Sequence, residues 1–189
     1  MLNKIIGAFT FRKGVYAEVE KDTSFTSSAW LIVVVVAFLS QLGGNASRGF
    51  GGMLVGAIIG TLFAVGGFAL AAFVISLIGK SLFNAAVSFE EVVRTLGLAY
   101  VWNIIGFAGI LGILSPALVC VVSPLLIIGW VMGLIAWFVA AKEALDLDLG
   151  KTIITVIIGW VVMLIVTGIA SAIVGALGFT ARRAAQMFQ

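Results

Sequence analysis

Few side chains in this sequence have the chemistry to do more than pack. Histidine is absent and cysteine occurs once, at Cys120 inside an apolar run. Imidazole bases, imidazole metal ligands and multi-thiolate clusters are therefore excluded. Three carboxylates, Glu143, Asp146 and Asp148, fall close together in the stretch KEALDLDLGK at 142–151. Three carboxylates this close could touch a divalent cation, but calcium-loop spacing is missing and a solvated loop with helix caps accounts for them. No phosphate-binding loop, serine nucleophile elbow or zinc-protease motif occurs. The expectation is a non-enzyme with no catalytic residue, no metal site and no cofactor.

The polar residues inside apolar runs are neutral: Thr61, Ser76, Asn103, Ser123, Thr167 and Ser171. A charge near the centre of a bilayer costs at least about 2.5–3.5 kcal/mol, so a transporter that keeps one usually uses it. None of the acidic residues falls in the middle of such a run, which argues against a proton-coupled pump. Asn103 is the best candidate for a polar pathway, with an interhelical hydrogen bond as the alternative. Pro124 lies inside an apolar run and predicts a kink, because it removes one backbone donor. That kink reads either as a hinge or as a packing accommodation. Glycines recur at four-residue spacing at Gly52, Gly56 and Gly60, extended by Ala64, again at Gly129 and Gly133, and at Gly168 with Ala172 and Ala176. Small-residue ridges let membrane helices approach closely. They serve either a compact monomeric bundle or contact with a second copy or another membrane protein.

The elements that position these residues follow from composition. Of 189 residues, 62% are apolar and 10% charged, against about 45–50% and about 25% in a soluble domain. A mean hydropathy of +1.26 leaves the bilayer as solvent and excludes a soluble enzyme, a nucleic-acid binder and a disordered scaffold. A crossing helix needs about 20 mostly apolar residues, each rising about 1.5 Å through a core of about 30 Å. Five stretches qualify, at 25–43, 53–79, 95–114, 117–141 and 151–178. The fold class is an all-α integral membrane protein: five transmembrane helices at 25–178, a short amphipathic segment at 1–24 and a short external tail at 179–189.

Local signals punctuate these spans. Ser115 and Pro116 leave room for only a tight turn between the third and fourth, with Pro116 suited to a helix start. Ser88 and Glu91 have capping-box spacing, Ser88 as N-cap and Glu91 reaching back. Trp30 and Trp137 fall near span boundaries, where interface anchoring is expected. In the first segment Leu2, Ile5, Ile6 and Phe9 make an apolar stripe beside Lys4, Arg12 and Lys13, the pattern of a helix lying on the inner leaflet or docking a partner. It lacks the continuous apolar core and cleavage site of a secretory signal. Eight of the eleven Lys and Arg residues fall on the N-terminal side, leaving Arg48, Arg182 and Arg183 on the other. The positive-inside rule then places the N-terminus in the cytoplasm and the C-terminus outside an inner cell membrane.

Three stretches carry a resemblance: DTSFTSSAWLIVVVVAFL at 22–39, SFEEVVRTLGLAY at 88–100 and WFVAAKEALDLDLGKTI at 137–153. With the five spans they resemble the YIP-domain family, the Ypt/Rab GTPase-interacting membrane proteins and their prokaryotic relatives. Eukaryotic members carry an aspartate-leucine-tyrosine-glycine-proline stretch before the first span, where Thr-Ser-Phe-Thr follows Asp22 here. The resemblance implies a prokaryotic, non-enzymatic multi-pass protein that organises membrane or recruits partners through helix packing and its N-terminal segment. The alternatives are a small channel or transporter for a neutral or lipidic solute, and an accessory subunit of a larger membrane complex. The expected partners are the lipid bilayer and either a second copy or another membrane protein, with no nucleic acid.

Overall fold

In the computed structural model, every regular element among the described residues is a helix. Residues 1–187 are described, apart from the side chains of residues 116, 119, 174 and 177–187. Two short helices, α1 (Leu2–Phe9) and α2 (Val15–Lys21), precede α3 (Phe25–Gly44) and α4 (Gly49–Phe83). Then follow α5 (Phe89–Ala99), a 3₁₀ segment (Tyr100–Ile113), α6 (Pro116–Leu145) and α7 (Leu149–Met187). Five of the resulting spans, with α5 and the 3₁₀ segment counted as one, are long and apolar enough to cross a membrane. The protein is a multi-pass integral membrane protein. The tail expected at 179–189, with Arg182 and Arg183, lies outside the described side chains.

Leu, Ile, Val, Phe and Ala dominate all five spans, and many of these residues face outward. Leu62, Phe73, Ile127 and Leu164 are each more than half exposed, as hydrocarbon-facing side chains are. With 35 residues, α4 rises about 52 Å, well beyond a core of about 30 Å. It starts at Gly49 and so extends past both ends of the stretch read from hydropathy. Asn84 ends α4 and Asp146 ends α6, each in the left-handed conformation with φ of 53° and 49°. Asn and Asp tolerate that conformation better than other non-glycine residues.

The third span departs from a uniform α-helix. Ser88 caps α5 with the full reciprocal box: its hydroxyl accepts from Glu91 N at 3.2 Å, and its own N–H donates to the Glu91 carboxylate. After 11 α-helical residues the chain tightens into 14 residues of 3₁₀-helix, where runs beyond three or four are uncommon. Its packing against α3 accounts for this. A Cβ at Gly43 would overlap the Gly106 carbonyl, and one at Gly109 would come within 2.8 Å of the Gly43 carbonyl. The narrower helix lets two backbones touch. The Asn103 amide donates to the Tyr100 carbonyl at 3.2 Å, a bond that spans three residues like the 3₁₀ bonds around it.

α3 lies against α4, α5 and the 3₁₀ segment, α6 packs on the 3₁₀ segment and α5, and α7 runs along α4. Phe68, fully buried, sits at the centre with Trp30, Tyr100 and Trp137 edge-on to its ring at 5.6, 5.6 and 6.1 Å. Trp137 is 2% exposed. It fills the core, which corrects the reading of this ring as an interface anchor.

Candidate functional site

Two constellations of polar and aromatic side chains stand out from the apolar bundle, one at each end. The first is a clasp that fastens α1 and α2 to the end where α3 begins. Arg94, on the second turn of α5, is 5% exposed. Its Nε donates to the Glu20 carbonyl at 2.9 Å, Nη2 donates to the same oxygen, and Nη1 donates to Thr26 Oγ1 at 3.3 Å. A buried guanidinium needs acceptors, and the open C-terminal end of α2 supplies a carbonyl with no intrahelical donor. Lys4 of α1 reaches across to Asp22 at 2.5 Å and sits over the Phe25 ring at 4.9 Å. The Asp22 carboxyl falls to about 2, chiefly because Lys4 and Ser24 donate hydrogen bonds to it.

Trp102 completes the clasp. Its indole N–H donates to the Ala8 carbonyl at 3.4 Å, Phe9 meets it edge-on at 5.0 Å and Phe11 stacks at 5.7 Å. Phe11 is held at φ 49°, an uncommon conformation for a bulky residue that surrounding contacts must enforce. Beneath α2, Val15, Tyr16 and Val19 are buried. Burial pushes the Tyr16 phenol up, and its hydroxyl has no hydrogen-bond partner. Burial also raises the Glu20 carboxyl, followed by the nearby Asp146, Glu91 and Glu143 carboxylates, while Lys21 opposes them. The stripe of α1 divides in this arrangement. Ile5 and Phe9 pack on the bundle, while Leu2 and Ile6 stay 68% and 51% exposed.

The second constellation is a crevice toward the opposite end, where α3 turns into α4. Gln41, Asn45 and Arg48 line it from α3 and the following turn, and Thr167 and Ser171 from α7, around a cavity of about 150 Å³. Asn45 is 7% exposed, and its amide donates to the Gln41 carbonyl at 2.8 Å. A Cβ at Gly56 would fall 2.5 Å from Asn45 Oδ1, and one at Gly60 would overlap Gln41 Oε1. The glycine ridge of α4 thus faces α3 and makes room for two polar side chains. Thr167 also lines a second cavity of about 120 Å³, with Asn103, Trp130, Trp137, Trp160 and Met163. The Trp160 indole nitrogen is buried without an acceptor.

The remaining expected positions are scattered. Gly52 lies beside Arg48, Gly129 against Ile105 and Gly133 in ordinary contact with Trp102, whereas nothing lies within 4 Å of a Cβ at Gly168. Pro124 sits inside α6, which is continuous from Pro116 to Leu145. Ser88 and Glu91 belong to the cap of α5 and lie near the clasp, six and three residues before Arg94. Among the described residues no group of three acidic or thiol side chains is placed to share a metal ion. Arg94, Trp102, Gln41 and Asn45 carry the geometry, and sequence reading passed over all four as sites. Arg94 had one available signal: it lies six residues inside a capped helix and not in a loop.

Residues 6–170 match the family model described as the Yip1 domain. No curated protein and no solved structure matches the chain.

Proposed function

Because the chain belongs to the Yip1-domain family, we propose that this multi-pass membrane protein is non-enzymatic and organises the bilayer by holding an amphipathic wedge in one leaflet. The observation that carries this reading is the clasp. It ties α1 through Lys4 and Trp102, and α2 through Arg94, while Met1, Leu2 and Ile6 remain more than half exposed. An interfacial helix buries its apolar face about 5–10 Å into the headgroup and acyl boundary. A free helix would do so loosely, whereas a clasped one adds cross-section to a single leaflet at a fixed place beside the spans.

The same end of the bundle exposes Lys13, Lys21, Lys80, Lys142 and Lys151. Each basic residue near an anionic surface contributes about 1 kcal/mol of attraction, and the excess of Lys and Arg there reads as cytoplasmic. The reading therefore has the clasp on the cytoplasmic leaflet of the cell's inner membrane and the C-terminus outside. The α4 glycine ridge is occupied by Asn45 and Gln41 of the same chain, so the wedge favours membrane organisation over recruitment of a partner through that ridge.

Reconstitution tests this directly. Wild-type protein in vesicles with about one third anionic lipid should narrow or tubulate them, as imaged by electron cryomicroscopy. The double variant Leu2→Glu, Ile6→Glu should insert equally well and leave vesicle shape at that of protein-free controls. Equal shaping by both proteins, or none by the wild type, defeats the proposal.

A further inference from the structure

We infer that the crevice at the α3–α4 end is a binding site for a single glycerophospholipid, with its phosphate beside Arg48 and one chain entering the tryptophan-lined cavity. The two cavities are neighbours along α7, and Thr167 lines both. Their chemistry changes along the membrane normal as a lipid's does. The outer room holds Gln41, Asn45, Arg48 and Ser171: amide groups, a guanidinium carrying a positive charge, and a hydroxyl. The inner room is walled by Trp130, Trp137, Trp160 and Met163.

Depth agrees with this polarity. Ser171 lies about 33 Å along α7 from its start at Leu149, and Trp160 about 16 Å, at 1.5 Å per residue. In a core of about 30 Å, the first is at an interface and the second near the midplane. An amphiphile in that leaflet has its headgroup and tail at those two levels. The outer room is built: Asn45 is held nine-tenths buried by its bond to Gln41, in space that side chains at Gly56 and Gly60 would fill.

One further feature selects a lipid over a small water-borne solute. Trp130 and Leu164, both in the wall of the inner room, are 59% and 61% exposed, so this room opens sideways toward hydrocarbon. Each room has the scale of a cavity that holds a benzene-sized group, about 150 Å³. That suits a glycerophosphate in one and a short stretch of acyl chain in the other.

The test uses full-length protein in nanodiscs and a phosphatidylglycerol probe carrying a photoreactive diazirine on one chain. Crosslinks should concentrate at Trp130, Trp160 and Leu164, and a large excess of unlabelled phosphatidylglycerol should suppress them at least tenfold. Ser171→Phe, which fills the outer room from an exposed position on α7, should reduce them about tenfold. Arg48→Gln should weaken capture of the phosphatidylglycerol probe several-fold and leave a diacylglycerol probe unaffected. Labelling spread evenly over outward residues such as Leu62 and Ile158, or resistant to competition, overturns the site. Equal capture of the phospholipid and diacylglycerol probes by the wild type overturns the phosphate assignment. Capture of neither probe, with a labelled neutral solute entering vesicles instead, replaces the lipid by a permeant. If Ser171→Phe unfolds, competition and Arg48→Gln decide the matter alone.

Discussion

Replacing Arg94 by Met should release the N-terminal helices while leaving the bundle intact. The guanidinium makes three donations, two to the Glu20 carbonyl and one to Thr26 Oγ1, from a side chain that is 5% exposed. Hydrogen bonds to a charged partner contribute about 1.5–3 kcal/mol each in net terms. The two directed at one oxygen do not add fully, and Met recovers packing and removes the cost of burying a charge. A net loss of about 2–3 kcal/mol for the docked state of α2 follows, which is about a 30- to 150-fold rise in its opening equilibrium. Hydrogen–deuterium exchange in nanodiscs reads this directly, because amide exchange through local opening scales with that equilibrium. Amides of α1 and α2 should exchange faster by that factor, and those of α4, α6 and α7 should not change. Arg94→Lys keeps the charge but lacks the planar fork, so it should fall between the wild type and Met. Unchanged exchange over residues 2–21 in Arg94→Met would refute the clasp, as would equal acceleration across every span.

Asp22 adds a pH dependence to the same clasp. Its carboxyl is lowered from an ordinary 3.8 to about 2, so its contribution is present above about pH 4 and lost as pH falls through about 2. Tryptophan emission reporting on Trp102 should follow α1 release in that window, and Asp22→Asn should abolish the transition. At the α3–3₁₀ contact, Gly43→Ala places a methyl on the Gly106 backbone carbonyl, which cannot rotate away as a side chain could. Thermal unfolding in detergent should register a loss at or above the upper end of the usual overpacking cost of about 1–3 kcal/mol. Gly168→Ala meets nothing within 4 Å and should unfold with the wild type.

Much of the architecture was readable because it depends on local physics. A bilayer demands long apolar helices with internally satisfied backbones, so the runs from 25 onward announce five spans with no knowledge of their packing. The 3₁₀ stretch at Tyr100–Ile113 was not readable in this way. Its residues Val, Trp, Ile, Phe and Leu suit an apolar α-helix equally well, and the tighter winding accompanies the approach of Gly43 from another span. The α1 stripe shows the same boundary. Periodicity puts Leu2, Ile5, Ile6 and Phe9 on one side, but the position of Trp102 and α3 divides that side into a docked edge and an outward edge.

What this sequence determined by itself is the solvent and the number of crossings, since both follow from the free energy of transferring each segment into hydrocarbon. What only the tertiary structure decided is where the few polar groups meet. Glu20 and Arg94 are 74 residues apart in the chain and joined by hydrogen bonds. Asn45, Gln41 and Thr167 line one cavity from two separate spans. Pairing of this kind costs nothing to state in sequence and leaves no period or spacing behind. It is set by how glycines let particular backbones approach, and in a membrane that contact geometry replaces the hydrophobic drive that water would supply between helices.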